Sequence, residues 1–353
     1  MPLRLFRFLR WFLVILLVTA AVLIVVGRFR ASYHDIPSLF REAQLKSLWL
    51  LLLFEAVYFV FSGLLSKALL AIAGSKINLS QTIKVGLLTV LGFHVAPFVG
   101  GAVLAYIFYR KLNIQSSRVL FLMTTSVILS LLNTLLFSLA ALLLLRQSFF
   151  FFLPFKAVLT LLLVLLFLLT TGYFLVRNKA KHLISLLKCL SKPVNKISMF
   201  FVQKEFFSHD KIEKIIQELL RDFDLISANR FKAFEALIIS FVFYLLDMAV
   251  MYSAFFVFGY RAHPPLLIIG MTLSALLSIL SLFPEAPGVA EASLITVFIG
   301  LGFPVHVSLF AVLLYRLVSY WLPMPFAFLV YLSLNGRRAQ LKHGFFDNGE
   351  NDY

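Results

Sequence analysis

Apolar runs long enough to cross a lipid bilayer recur along this chain, with short basic segments between them. A helix needs ~20 apolar residues to traverse the ~30 Å hydrocarbon core. The runs are Trp11–Val26, Ser47–Ala73, Thr82–Tyr109, Arg118–Leu145, Phe149–Val176, Phe231–Gly259, Pro264–Gly302 and Pro304–Leu334. Two are broken near the middle, one by Gly92, Pro97, Gly100 and Gly101, the other by Pro284, Pro287 and Gly288. The last run is interrupted late by Pro323 and Pro325.

Composition excludes a soluble fold. Hydrophobic residues make up 61% of the 353 and charged residues only 14%, against about 25% charged in soluble domains. A water-soluble chain of this length cannot hide so much apolar surface. The formal charge of +16 sits mostly between the runs, where it sets orientation and meets anionic headgroups rather than nucleic acid. The single cysteine, Cys189, allows no intramolecular disulfide, and the histidines show no metal-ligand spacing. Neither a cofactor nor a metal is expected. No phosphate-binding glycine loop with a lysine is present, and no serine–histidine–acid arrangement suggests catalysis.

The run behind Arg4, Arg7 and Arg10 is long for a cleaved signal and reads as an uncleaved anchor. Residues 177–230 differ from the rest, with 11 Lys/Arg and 6 Asp/Glu. Ile212, Ile215, Ile216, Leu219, Leu220 and Phe223 recur there at helical spacing, which predicts an amphipathic helix on the membrane surface. Basic loops stay in the cytoplasm. Placing the N-terminus, 177–230 and the tail inside forces Thr82–Tyr109 to begin and end inside, and Pro264–Gly302 to begin and end outside. Each then becomes a re-entrant hairpin, turning near Pro97 and near Pro287. That topology leaves 22 Lys/Arg inside and 6 outside. A kinked span, or two full spans, is the alternative for each broken run.

The hairpins resemble each other. A shift of 190 residues lays Pro97 on Pro287, and a turn follows each, Lys111-Leu112-Asn113-Ile114 in one and Gly300-Leu301-Gly302-Phe303 in the other. The fold class expected is an all-α polytopic membrane protein. It has about six full spans and two re-entrant hairpins in an inverted repeat, an architecture common among transporters. The chain divides into an anchor and loop (1–46), a first membrane half (47–176), the basic cytoplasmic segment (177–230), a second half (231–334) and a cytoplasmic tail (335–353). Non-helical backbone at membrane depth survives only in a protein-lined or watery cavity, so two hairpin tips mark a polar site. Half-helix N-termini there favour an anionic group.

Three motifs carry a family resemblance over about Leu48 to Leu334. They are His94-Val-Ala-Pro97-Phe-Val-Gly100-Gly101 with Tyr109-Arg110, Leu282-Phe-Pro284-Glu-Ala-Pro287-Gly288-Val-Ala-Glu291, and Leu314-Tyr315-Arg316-Leu317 with Leu322-Pro323. The sequence resembles the transmembrane region of the lysylphosphatidylglycerol synthases, a flippase-like group of integral membrane proteins. The family's Pro-Gly-Gly-x-Gly-x-x-Glu pattern is three residues longer than the stretch from Pro287 to Glu291. Nothing resembles the family's soluble aminoacyltransferase domain. The resemblance implies lipid translocation, between leaflets of a bacterial inner membrane, without aminoacyl transfer.

Ionisable groups inside spans are costly and point to function. Glu291 binds a cationic headgroup, carries a proton, or caps the half-helix that starts near Pro287. Glu285 shares that tip. Arg316 holds a lipid phosphate, or pairs with Asp247 at similar depth. His94 relays protons or packs with a hydrogen bond. Glu55, Glu235 and Lys156 read as span-end residues whose long side chains reach water. The substrate-binding candidates are Pro97, Gly100, Gly101, Glu285, Pro287, Gly288, Glu291 and Arg316, with His94 and Asp247 in support. The partners expected are membrane lipids, anionic ones foremost. Two rivals stay open: a membrane-embedded lipid headgroup transferase related to phosphatidylglycerol lysyltransferase, and a non-transporting scaffold working through its basic segment.

Overall fold

The computed structural model describes residues 41, 43–95, 100–144, 221–226, 228–280 and 288–333. The runs expected at Trp11–Val26 and Phe149–Val176, most of the amphipathic segment, and Pro97, Glu285 and Pro287 lie outside the described residues. Within them the chain is helical and has no strand. Eight α-helices follow in order: α1 Leu48–Ile72, α2 Leu79–Val95, α3 Gly100–Lys111, α4 Ser116–Leu144, α5 Arg230–Val257, α6 Pro264–Leu280, α7 Val289–Gly300 and α8 Val305–Arg316.

Length sorts them. Leu45–Ile72, Ser116–Ala141, Arg230–Val257 and Val305–Ser333 are long and apolar enough to cross a membrane. At 1.5 Å per residue the 17-residue α2 and α6 reach about 26 Å, and the 12-residue α3 and α7 about 18 Å, less than a bilayer core. These four short helices are the arms of the two broken runs. The long apolar helices present Trp49, Leu52, Leu139, Leu143, Phe234 and Leu329 outward, as lipid permits and water would not.

In both broken runs the chain turns back on itself. Gly92 and Gly100 are eight residues apart, ~12 Å along a continuous helix. Yet a β-carbon on Gly92 would collide with the backbone of Gly100 and lie 2.7 Å from Gly101 Cα. In the second run a β-carbon on Gly270 would lie 2.8 Å from Phe298 Cδ1, and Ser274 Oγ donates to the Ser293 carbonyl at 3.4 Å. Register descends on α6 as it climbs on α7, so these arms are antiparallel.

The two halves match in more than pattern. Arms of 17 and 12 residues occur in the same order in each. Leu79 to Pro264 is 185 residues, and Gly100 to Val289 is 189, so the offset changes by four across the turn. The helix before each pair and the second arm of each pair end alike. Gly74, Asn113, Gly259 and Gly302 all have positive φ, and the next amide bonds back to Leu70, Tyr109, Phe255 and Phe298, respectively. That is the Schellman ending, with one left-handed residue that glycine or asparagine tolerates.

The described residues fall into two compact units. One comprises those within Met1–Gly63, Ser80–Ala105 and Leu245–Tyr353, and holds the approaches of Gly92 to Gly100 and of Gly270 to Phe298. Its core is aromatic, with Phe298 edge-on to Phe255 and Phe303 tilted against both. The other comprises those within Leu64–Leu79 and Tyr106–Tyr244. It is held by Phe137 stacking on Phe241 and Tyr244, and by a buried 2.7 Å bond from Asn133 Nδ2 to Ser240 Oγ. Arg118 donates there to the Gly74 carbonyl and Ser75 Oγ, which ties the start of α4 to the α1–α2 turn.

The interruption at Pro323 and Pro325 does not end the last helix. After α8 the chain widens into a π-helical turn, Leu317–Trp321, then continues helically to Ser333. The Leu322 amide reaches back five residues to the Leu317 carbonyl at 2.8 Å. A proline clashes with the carbonyl four residues before it, and a wide turn just upstream moves those carbonyls aside.

Candidate functional site

The site assembles around the first residues of α7. Gly288, at φ 87°, occupies a conformation that a side chain would strain. Its amide donates to Glu291 Oε2 at 2.6 Å, so Glu291 satisfies one of the bare donors at this helix start. The other carboxylate oxygen, Oε1, accepts from Arg316 Nε at 2.9 Å. Arg316 is buried, and Glu291 keeps only 12% of its side chain exposed.

From Arg316 the contacts pass to rings. Its guanidinium carbon lies 4.7 Å over the Tyr320 ring, an i, i+4 neighbour across the entry to the π turn. Tyr320 stacks on His94 at 3.8 Å between centroids and 20° between planes. Trp321 closes on both edge-on, 5.3 Å from His94 and 5.6 Å from Tyr320. One continuous set of contacts thus joins the last turn of α2 to the first turn of α7 through the π turn of the last helix.

His94 has a defined chemistry. Its Nδ1 lies 2.9 Å from the Val90 carbonyl, which can only accept, so Nδ1 carries a hydrogen. Nε2 is buried without a partner among the described residues. A neutral His94 therefore offers Nε2 as an acceptor, and a protonated one offers it as a donor.

A second polar cluster adjoins. The Tyr315 hydroxyl donates to Asp247 Oδ1 at 2.8 Å. Glu55 lies close enough to Asp247 for the charges to interact, and is 6% exposed. Burial of Glu55 corrects its reading as a span-end residue that reaches water: it lies in the second turn of α1, facing protein.

The sequence candidates sort as follows. Gly288, Glu291, Arg316 and His94 come together. Gly100 and Gly101 serve close packing, Gly100 against Gly92 and Gly101 against the Phe93 ring. Glu291 does cap α7, and Arg316 bonds it, while Asp247 accepts from Tyr315. Tyr320 and Trp321 were missed, and Glu55 was read as a span-end residue. The spacing from Arg316 to Tyr320, and a lone carboxylate within the apolar run of α1, were the available signals.

Electrostatically, the Glu291 and Arg316 charges offset each other, and the N-terminus of α7 adds roughly half a positive charge. The balance favours an anion. No curated protein matches the chain closely enough to stand as a relative. The model of the family described as the lysylphosphatidylglycerol synthase TM region matches residues 11–327, nearly the whole length. With His94, Gly288, Glu291 and Arg316 meeting at one polar site and the family model covering most of its length, this chain belongs to the lysylphosphatidylglycerol synthase transmembrane-region family.

Proposed function

We propose that the protein is a lipid translocase that passes an anionic phospholipid headgroup between leaflets of the inner membrane. The observation that carries this reading is the contact set Gly288–Glu291–Arg316–Tyr320–His94, which links the end of α2 to the start of α7 through a distorted stretch of the last helix. In this reading the arm pairs are re-entrant, entering from opposite faces, and the two halves alternate access to the site. The N-terminus and tail are cytoplasmic. The net half charge attracts the phosphate, and Nε2 of a neutral His94 accepts a hydrogen bond from a headgroup hydroxyl or ammonium.

Short arms support re-entrance, because a 12-residue helix cannot cross the core alone. The π turn beside Arg316 supports a functional site there, because such turns are frequent at functional sites. The commitment of Glu291 to both Gly288 and Arg316 weighs against the transferase rival, which needs a carboxylate available for proton transfer. Transport of labelled lipids in liposomes tests the reading, with wild type beside Glu291→Ala and Arg316→Ala. Movement of anionic lipid by wild type, lost in both variants while they remain folded, is the expected result. No movement of anionic, aminoacylated or polyprenyl lipids by wild type would overturn it.

A further inference from the structure

Glu55 and Asp247 stand beside the headgroup site and take no part in holding it. Glu55 is more than nine-tenths buried, and its Oε1 has no hydrogen-bond partner among the described residues. Asp247, whose carboxylate accepts from the Tyr315 hydroxyl, lies within electrostatic reach of Glu55. A carboxylate at membrane depth with a bare oxygen is costly, and such residues mark ion and proton paths. Two like charges held together away from water repel, and one proton between them removes the repulsion.

We infer that Glu55 and Asp247 form a proton-carrying site that couples lipid movement to a proton gradient. The inference rests on the transport reading and names its coupling ion. A proton arriving from water on one side forms one carboxyl O–H bond. Glu55 then donates to Asp247, and α1 and α5 are held together there. The proton leaves to water on the other side, that O–H bond breaks, and no other bond changes. The link to the headgroup site is short. Tyr315, which anchors Asp247, immediately precedes Arg316, and the π turn follows at once. Charged and titratable groups among the described residues act on the pair's anchor. Tyr58 and Arg316 act on Tyr315, and Arg316 is balanced by Glu291.

The test has two readouts on the protein reconstituted in phospholipid vesicles. Infrared difference spectroscopy follows the carbonyl stretch of protonated carboxyl groups from mild acid to mild base. Labelled-lipid transport is measured with and without an imposed pH gradient. Expected for wild type are a titrating carboxyl band and a ratio of driven to undriven transport above one. In Glu55→Gln the band should be lost and the ratio should fall to one, with undriven transport retained. Glu55→Asp, which restores a titratable group, should recover both, and this separates coupling from damage to folding. No titrating band that depends on Glu55 overturns the proton site whether or not lipid moves. A band with lipid movement indifferent to the gradient overturns the coupling and leaves the transport reading intact. A band without any lipid movement sinks the transport reading and takes the coupling with it.

Discussion

Replacing Gly92 by alanine distinguishes a chain that folds back from a single kinked span, because the sign of the effect differs. In a continuous helix, glycine to alanine stabilises by about 1 kcal/mol. Here the new carbon would lie 2.7 Å from Gly101 Cα, where ordinary contact begins at 3.4 Å, so the arms must part by at least 0.7 Å. The obstacle is backbone, which no rotamer change can move aside. Overpacking costs about 1–3 kcal/mol, and a rigid obstacle belongs in the upper part of that range. Less the propensity gain, the net loss is about 1–2 kcal/mol. The assay is reversible unfolding in mixed micelles. Gly300→Ala is the control, because no described residue lies within 4 Å of its β-carbon position. It should stay within about 0.5 kcal/mol of wild type. A Gly92→Ala protein as stable as wild type, or more so, would refute the folded-back turn.

Two further predictions follow from the same geometry. Single cysteines at the exposed positions Lys76 and Gln115, in a Cys189→Ser background, should react with an impermeant reagent from one side of the membrane. Cysteines replacing His263 and Gly302 should react from the other, and labelling of Lys76 and Gln115 from opposite sides would exclude re-entrance. His94→Phe keeps a ring to stack on Tyr320 but removes Nε2, so it should melt within about 1 kcal/mol of wild type and lose transport. A transporting His94→Phe protein would reduce His94 to packing.

Much of the helical frame was legible because a bilayer imposes a length and prolines impose breaks. The runs Ser47–Ala73, Arg118–Leu145 and Phe231–Gly259 meet α1, α4 and α5 within two residues at each end. A shift of 190 lays Pro97 on Pro287 in the sequence, whereas the helices on either side of the break are offset by 185 and 189, because segments of unequal length separate them. Partnerships were less legible. Glu291 and Arg316 lie 25 residues apart on different helices, and only packing decides which faces meet. Asp247 was an equally good partner by depth. Glu55 was misread because position along a span suggests access to water, while burial depends on what packs against that side. The late prolines suggested an interruption, and the π turn absorbs them instead.

The central claim, that an anionic headgroup occupies the site, is tested most directly by photo-crosslinking in native membranes. A photoreactive residue is placed at His94, with Leu329, exposed on the last helix, as the lipid-facing control. The account predicts adducts at His94 enriched in anionic phospholipid over those at Leu329, with the enrichment lost in an Arg316→Gln background. Adducts at His94 that match the bulk composition found at Leu329, or are unchanged by Arg316→Gln, would contradict it.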